Sequence, residues 1–178
     1  MTYPKKIFTQ INRLTSDMVG LGICDSQNFP SYKKSQGNVV EIGISDSDCS
    51  IFLKSISYSD MFSQLDKKRM YNLKMIDGAM LSMYYRFVNN NLVSHRLSFF
   101  PSPDLEAFQN EPDIYYDDEL YIDIIDRRIV TIPIRFDYDK QEGVYAPVKH
   151  PISHLTLGQY EHCRIPVTTA LTPYQFIE

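Results

Sequence analysis

Glycine is scarce in this chain, with seven residues in 178. None of the glycine-dependent phosphate or nucleophile signatures occurs: no GxGxxG, no GxxxxGK[ST] and no GxSxG. Cysteine is scarcer. Cys24, Cys49 and Cys163 are odd in number, far apart and include no CxxC pair. That argues against a disulfide framework and against a four-cysteine zinc site, and predicts free thiols in a reducing, cytoplasmic setting. Apolar runs are short. None approaches the roughly eighteen residues a membrane helix needs, and the opening MTYPKKIFTQINRL has no apolar core of a signal peptide, so no membrane partner is expected. Positive charge is in deficit as well, 18 Lys and Arg against 22 Asp and Glu for a net −4. A broad nucleic-acid or anionic-membrane footprint needs clustered positive charge, so nucleic acid is not indicated by charge, although a local patch stays open.

What the chain does have is core material. It is 43% hydrophobic, with 13 Tyr and 10 Phe, too aromatic for a disordered chain. The length fits a single domain over residues 1–178 that buries roughly two-thirds of its unfolded surface.

Hydrophobic spacing then places the elements. Ile7, Ile11, Leu14 and Met18 fall on one helical stripe behind Pro4, which suits a first-turn position, and Gly20 or Gly22 should end that helix. Residues 38–45 alternate as a strand, and a second strand is expected over 50–56. A helix is expected over 57–71, capped by Ser57 or Ser59, with Met61, Leu65 and Met70 inward. Residues 79–100 form the clearest hairpin: Leu81, Met83, Tyr85 and Phe87 alternate with polar residues, as do Val93, His95, Leu97 and Phe99 beyond the Asn89-Asn90-Asn91 turn. Asparagine tolerates the left-handed backbone such turns require, and Pro101 and Pro103 end the second strand. Further strands are expected over 129–138, 144–148, 154–157 and 164–167. The fold class predicted is α+β, a mostly antiparallel β-sheet in the C-terminal two-thirds with an N-terminal amphipathic helix packed on it. Thr172 and Pro173 open a final helix of which only about two turns remain, so the C-terminal helix is expected to be incomplete.

The densest chemistry lies in the last third. His150, His154 and His162 fall within thirteen residues of one another, near Arg135, Asp137, Asp139 and Arg164. His150 and His154 would share a helix face, but Pro151 and the flanking apolar residues favour a strand. In a strand the two would stand roughly 13 Å apart, too far for one metal unless the chain turns at Pro151. No third ligand presents itself, so neither metal nor cofactor is expected. General acid–base work or phosphate contact is one reading of the pair, and structural hydrogen bonding the other. In the strand IRFDYD, Arg135, Asp137 and Asp139 share a face, which is either solvated or one wall of a polar groove. Arg164 could supply a phosphate or carboxylate fork to that groove. Cys163 beside Arg164 could pair with a histidine as a nucleophile, a weaker reading.

The segment from Asp104 to Asp126 is a charge anomaly, with nine acidic residues, no Lys or Arg, and interleaved tyrosines and isoleucines. No EF-hand pattern and no PD-(D/E)xK nuclease pattern accompanies it. It reads as a solvated edge or as an acidic, tyrosine-rich contact face for a basic protein partner.

Several short motifs together resemble an uncharacterised bacterial family of the domain-of-unknown-function kind. They are Asp77-Gly78-Ala79, RLSFFP from Arg96 to Pro101, IRFDYD from Ile134 to Asp139, His150-Pro151-x-x-His154-Leu155-x-x-Gly158, Arg164-Ile165-Pro166, and Pro173-Tyr174-Gln175-Phe176 opening a terminal helix. The resemblance spans residues 75–178 and implies a bacterial cytoplasmic protein with no established activity. Two functions are carried forward. One is a non-catalytic interaction subunit of a multicomponent toxin–antitoxin or antiviral-type system, working through the acidic tyrosine-rich segment. The other is a small nuclease or phosphoesterase in which Arg135 and Arg164 hold phosphate, Asp137 holds Arg135, and His150 and His154 act as base and acid. A small-ligand sensor using the same groove is a third, weaker reading. The enzyme reading requires the two histidines and two arginines to converge.

Overall fold

A computed structural model describes residues 2–44, 56–103, 132–141, 143–146, 149–159 and 163–177. In chain order these form α1 (Tyr3–Gly20), β1 (Cys24–Gln27), β2 (Ser31–Ser35), β3 (Val39–Gly43), α2 (Tyr58–Lys67), β4 (Leu73–Met75), β5 (Met80–Val88), β6 (Asn91–Phe100), β7 (Ile134–Asp139), β8 (Ser153–Leu157), β9 (Arg164–Pro166) and α3 (Pro173–Ile177). The fold is α+β as the spacing predicts. The described strands make one open sheet, in the order β1-β4-β5-β6-β7-β8-β9, with β3 also on β5 and β2 on β3, and every pairing is antiparallel.

The elements form for local reasons. Pro4 sits in the first turn of α1, and the helix closes where Leu21 donates to the Asp17 carbonyl and Gly22 takes φ +71°. Ser57 caps α2: its Oγ accepts from the Asp60 amide at 3.1 Å and donates to Asp60 Oδ2 at 2.7 Å, a reciprocal cap. Asn89 (φ 51°) and Asn90 (φ 65°) supply the two left-handed residues that turn β5 into β6, the two-residue geometry whose twist matches the flanking strands.

Alternation splits the sheet into two unlike faces. On one, α1 buries Ile7 and Ile11 against Val40, Ile42, Met83, Tyr85, Phe87 and Leu97, and Phe136, Leu171 and Phe176 complete the layer. Each such aliphatic side chain taken from water is worth about 1.5–3 kcal/mol, so this layer is the main stabilising core. On the other face, Met61, Phe62 and Leu65 of α2 pack on Met80 and Phe100 at one end of the central hairpin. Beyond that end the face turns polar.

Three expectations need correcting. The early chain holds more strands than the two expected there, because β1, β2 and β4 also form; CDSQ and SYKKS lack apolar alternation, and LKM alternates over only three residues. Residues 144–148 hold no described strand: Ala146 and His150 make one isolated bridge. The strand expected from residue 129 is described from Ile134 and runs to Asp139. The strand expected over 50–56 and the acidic segment 104–126 lie outside the described residues, as does His162.

Candidate functional site

The polar half of the second face is a grid set by strand register. Directly opposed residues on antiparallel neighbours project to the same side of a sheet. One row runs Tyr84, Arg96, Asp137, His154 across β5 to β8. The next runs Ser82, Ser98, Arg135, Thr156, Arg164 across β5 to β9. Of the five candidates named from sequence, Arg135, Asp137, His154 and Arg164 therefore stand in two adjacent rows. His150 enters from the turn that precedes β8.

Asp137 is the hub. It is buried, and its Oδ1 accepts from Arg96 Nε at 2.8 Å. Its Oδ2 lies 3.6 Å from Arg135 Nε and 3.7 Å from His154 Nε2, ion-pair range for both but beyond a hydrogen bond. Burial works against the Asp137 charge. The guanidiniums of Arg96 and Arg135 outweigh it and hold the carboxyl below its ordinary value.

The chain does turn at Pro151. His154 Nδ1 lies 2.9 Å from the Pro151 carbonyl, which fixes that nitrogen as the protonated donor, and the rings of His150 and His154 meet edge to face at 5.1 Å between centroids. The 13 Å separation of an extended chain is thus replaced by contact. His154 is 2% exposed, with one nitrogen committed to Pro151 and the other aimed at Asp137. Burial, with the charges of His150 and Arg164, lowers its pKa, against the pull of the Pro151 carbonyl and Asp137. His150 is only half-buried, and its Nδ1 is enclosed without a hydrogen-bond partner.

Arg164 Nη1 donates to the Lys149 carbonyl at 3.1 Å, which ties the β9 edge to the residue before His150. No carboxylate pairs with Arg164 among the described residues. Its charge is close enough to weigh on Arg135, whose pKa is lowered first by burial and then by Arg96 and Arg164, against Asp137. The site therefore combines a carboxylate, two imidazoles in series and an excess of guanidinium, an arrangement that suits an anion and a proton carrier. Among the described residues, no group of three His, Cys, Asp or Glu is arranged to hold a metal ion. Asp139 turns instead to its own loop, accepting from the Gln141 amide at 2.9 Å. Cys163 is a free, half-buried thiol.

Sequence reasoning missed Arg96, Ser98 and Thr156. The hairpin alternation put Arg96 and Ser98 on the polar side of β6, but only the β6–β7–β8 pairing reveals that this side carries the site.

The residues that meet in this grid lie within the span of one family model. The chain belongs to the family of uncharacterized conserved proteins DUF2290, whose model matches residues 23–178. The match takes in every strand and all five site candidates, and starts well before the motifs at residue 77. No curated protein and no solved structure matches the chain. This DUF2290 chain has no helix, among its described residues, long and apolar enough to cross a membrane.

Proposed function

We propose that the protein is a small nuclease or phosphoesterase acting at the His150–His154–Asp137 series. One observation carries the reading: Arg96, Arg135 and His154 surround the buried Asp137 carboxylate, His150 meets the His154 ring, and Arg164 stands in the adjacent row of the same sheet face. In this reading Arg135 and Arg164 hold the phosphate. His150, the histidine that reaches solvent, takes a proton from the attacking water or hydroxyl as the new P–O bond forms, and returns it to the leaving oxygen as the old bond breaks. His154 is a positioning residue: Pro151 and Asp137 hold its two ring nitrogens, and its contact with His150 orients that ring. The interaction-subunit reading would work through residues 104–126, which lie outside the described residues.

The test is incubation of the protein with labelled single-stranded RNA and DNA, with and without Mg²⁺, beside His150→Ala and His150→Gln. The expected result is cleavage that both variants lose by about 10²-fold or more while their circular dichroism stays unchanged. Folded wild-type protein that cleaves nothing, or a His150→Ala variant that cleaves equally well, overturns the reading.

A further inference from the structure

We propose that Thr156, with Arg135 and Arg164 on either side of it, forms a phosphate clamp in which the Thr156 hydroxyl is the floor donor. Resting on the nuclease or phosphoesterase reading, the proposal names the atoms that receive the phosphate and a binding residue which that reading does not use.

Thr156 pairs directly with Arg135 on β7 and with Arg164 on β9, so the three project side by side from one face. Neighbouring strands stand about 5 Å apart. A short threonine between two long arginines therefore lies at the bottom of a trough whose walls are the arginine side chains. Thr156 is 6% exposed and its Oγ1 has no hydrogen-bond partner; Arg135 Nε beside it is likewise buried and makes no hydrogen bond, only the ion pair with Asp137 at 3.6 Å. On the far side of Arg135 in the same row, Ser98 is fully buried with its Oγ also unpaired. The row thus holds three of the seven buried side-chain atoms without a hydrogen bond among the described residues, two of them in the trough itself.

Buried polar atoms without partners are uncommon because they lose their water and gain nothing in return, so a run of them in one row needs an account. A guanidinium can only donate and a hydroxyl can do either, so a partner common to all must accept. Two like-charged guanidiniums held on either side of one threonine repel each other, and Arg164 has no carboxylate among the described residues. A tetrahedral oxyanion answers both needs. Its oxygens accept from Arg135 Nε, from the Thr156 hydroxyl and from the Arg164 nitrogens not engaged with Lys149, and its charge relieves the repulsion.

The experiment is calorimetric titration of inorganic phosphate into wild type, Thr156→Val, Thr156→Ser and Arg164→Gln, with the exposed Arg13→Gln as control. Thr156→Val keeps the shape and removes only the hydroxyl. It should weaken phosphate binding about fivefold, Arg164→Gln about tenfold or more, and Thr156→Ser and Arg13→Gln little. Wild type without binding at phosphate concentrations on the order of 10 mM, or Thr156→Val binding as wild type does, overturns the clamp. Phosphate binding with this variant pattern but no cleavage of RNA or DNA leaves the clamp standing and removes the nuclease reading. Cleavage by Thr156→Val with unchanged KM does the reverse.

Discussion

Strands β5 to β8 show two faces built on opposite principles. Toward α1, Met83, Tyr85, Phe87 and Leu97 are wholly buried, and the ring contacts continue outward from Tyr85 through His95 to Tyr138 and from Phe136 to Phe176. Most polar atoms there serve the chain itself: His95 Nε2 accepts from the Leu171 amide at 3.0 Å, and the Tyr85 hydroxyl donates to the Leu171 carbonyl at 3.0 Å, so together they pin the approach to α3, while His95 Nδ1 is the one atom of this group left without a hydrogen bond. On the opposite face the same strands present Ser98, Arg135, Asp137, His154 and Thr156, and Ser98 Oγ, Arg135 Nε and Thr156 Oγ1 are buried there without a hydrogen bond. A face whose burial is matched almost throughout by contacts is there for stability. A face that keeps donors buried and unpaired gives up stability, which is the pattern expected where a ligand completes the structure.

The largest test of that contrast is Phe87→Ala. The ring is fully buried, edge-on to Tyr3 at 5.4 Å and stacked on Tyr85. Its removal should cost about 3–5 kcal/mol in a urea unfolding series. A cost under about 1 kcal/mol would mean that the aromatic layer does not carry the fold.

His95 tests the same layer through pH. Burial lowers its pKa to about 4, against the opposing pull of Asp137. The unfolded chain takes up a proton at this ring near pH 6.5 and the folded chain does not until about 4. Stability from this group is therefore full above pH 6.5 and falls as the pH drops toward 4, by about 3 kcal/mol. His95→Gln, which keeps an acceptor for the Leu171 amide and cannot titrate, should flatten the decline in that window. An unchanged decline would assign it elsewhere.

Asp137→Asn moves the test to the other face. The shape and an acceptor for Arg96 remain, but the charge that holds two guanidiniums and faces His154 is lost. The expected cost is about 2 kcal/mol at pH 7, modest because Arg96 is partly exposed. The folded carboxyl sits below its ordinary value of 3.8. Its contribution is thus present above pH 3.8 and lost as the pH falls through the folded pKa, so the variant should lose less than wild type on acidification below pH 3.8. Equal acid sensitivity of the two proteins would remove Asp137 as the hub.

Much of this was legible in the residues. Four apolar positions on a helical stripe gave α1, alternation about an asparagine turn gave the hairpin, and alternate spacing put Arg135 and Asp137 on one face of β7. What hid β1 and β2 was their lack of apolar alternation: CDSQ and SYKKS are held by pairing to neighbours rather than by a buried side of their own, while β4, LKM, is too short for its alternation to stand out. The meeting of His150 and His154 depended on a turn at Pro151 that spacing alone allowed but did not require. Arg96, Ser98 and Thr156 were hidden by long-range register. A serine or arginine at a polar position of a hairpin reads as solvated until the neighbouring strand is known, and here that neighbour joins β6 across more than thirty residues of sequence.

Thr156→Val should have the smallest effect on stability and the most informative sign. The side chain is buried, and valine matches it in shape. On the aromatic face, removing a polar atom such as the His95 acceptor leaves a backbone amide unpaired and costs stability. Here the hydroxyl has no partner to lose, so the substitution should shift stability by less than about 1 kcal/mol, and toward the more stable side. The prediction holds without ligand. Added phosphate should then raise the melting temperature of wild type more than that of the variant, because a ligand stabilises only the state that binds it. A loss above about 2 kcal/mol without phosphate would mean that the hydroxyl is already satisfied within the fold. The polar face would then be built, like its opposite, for stability.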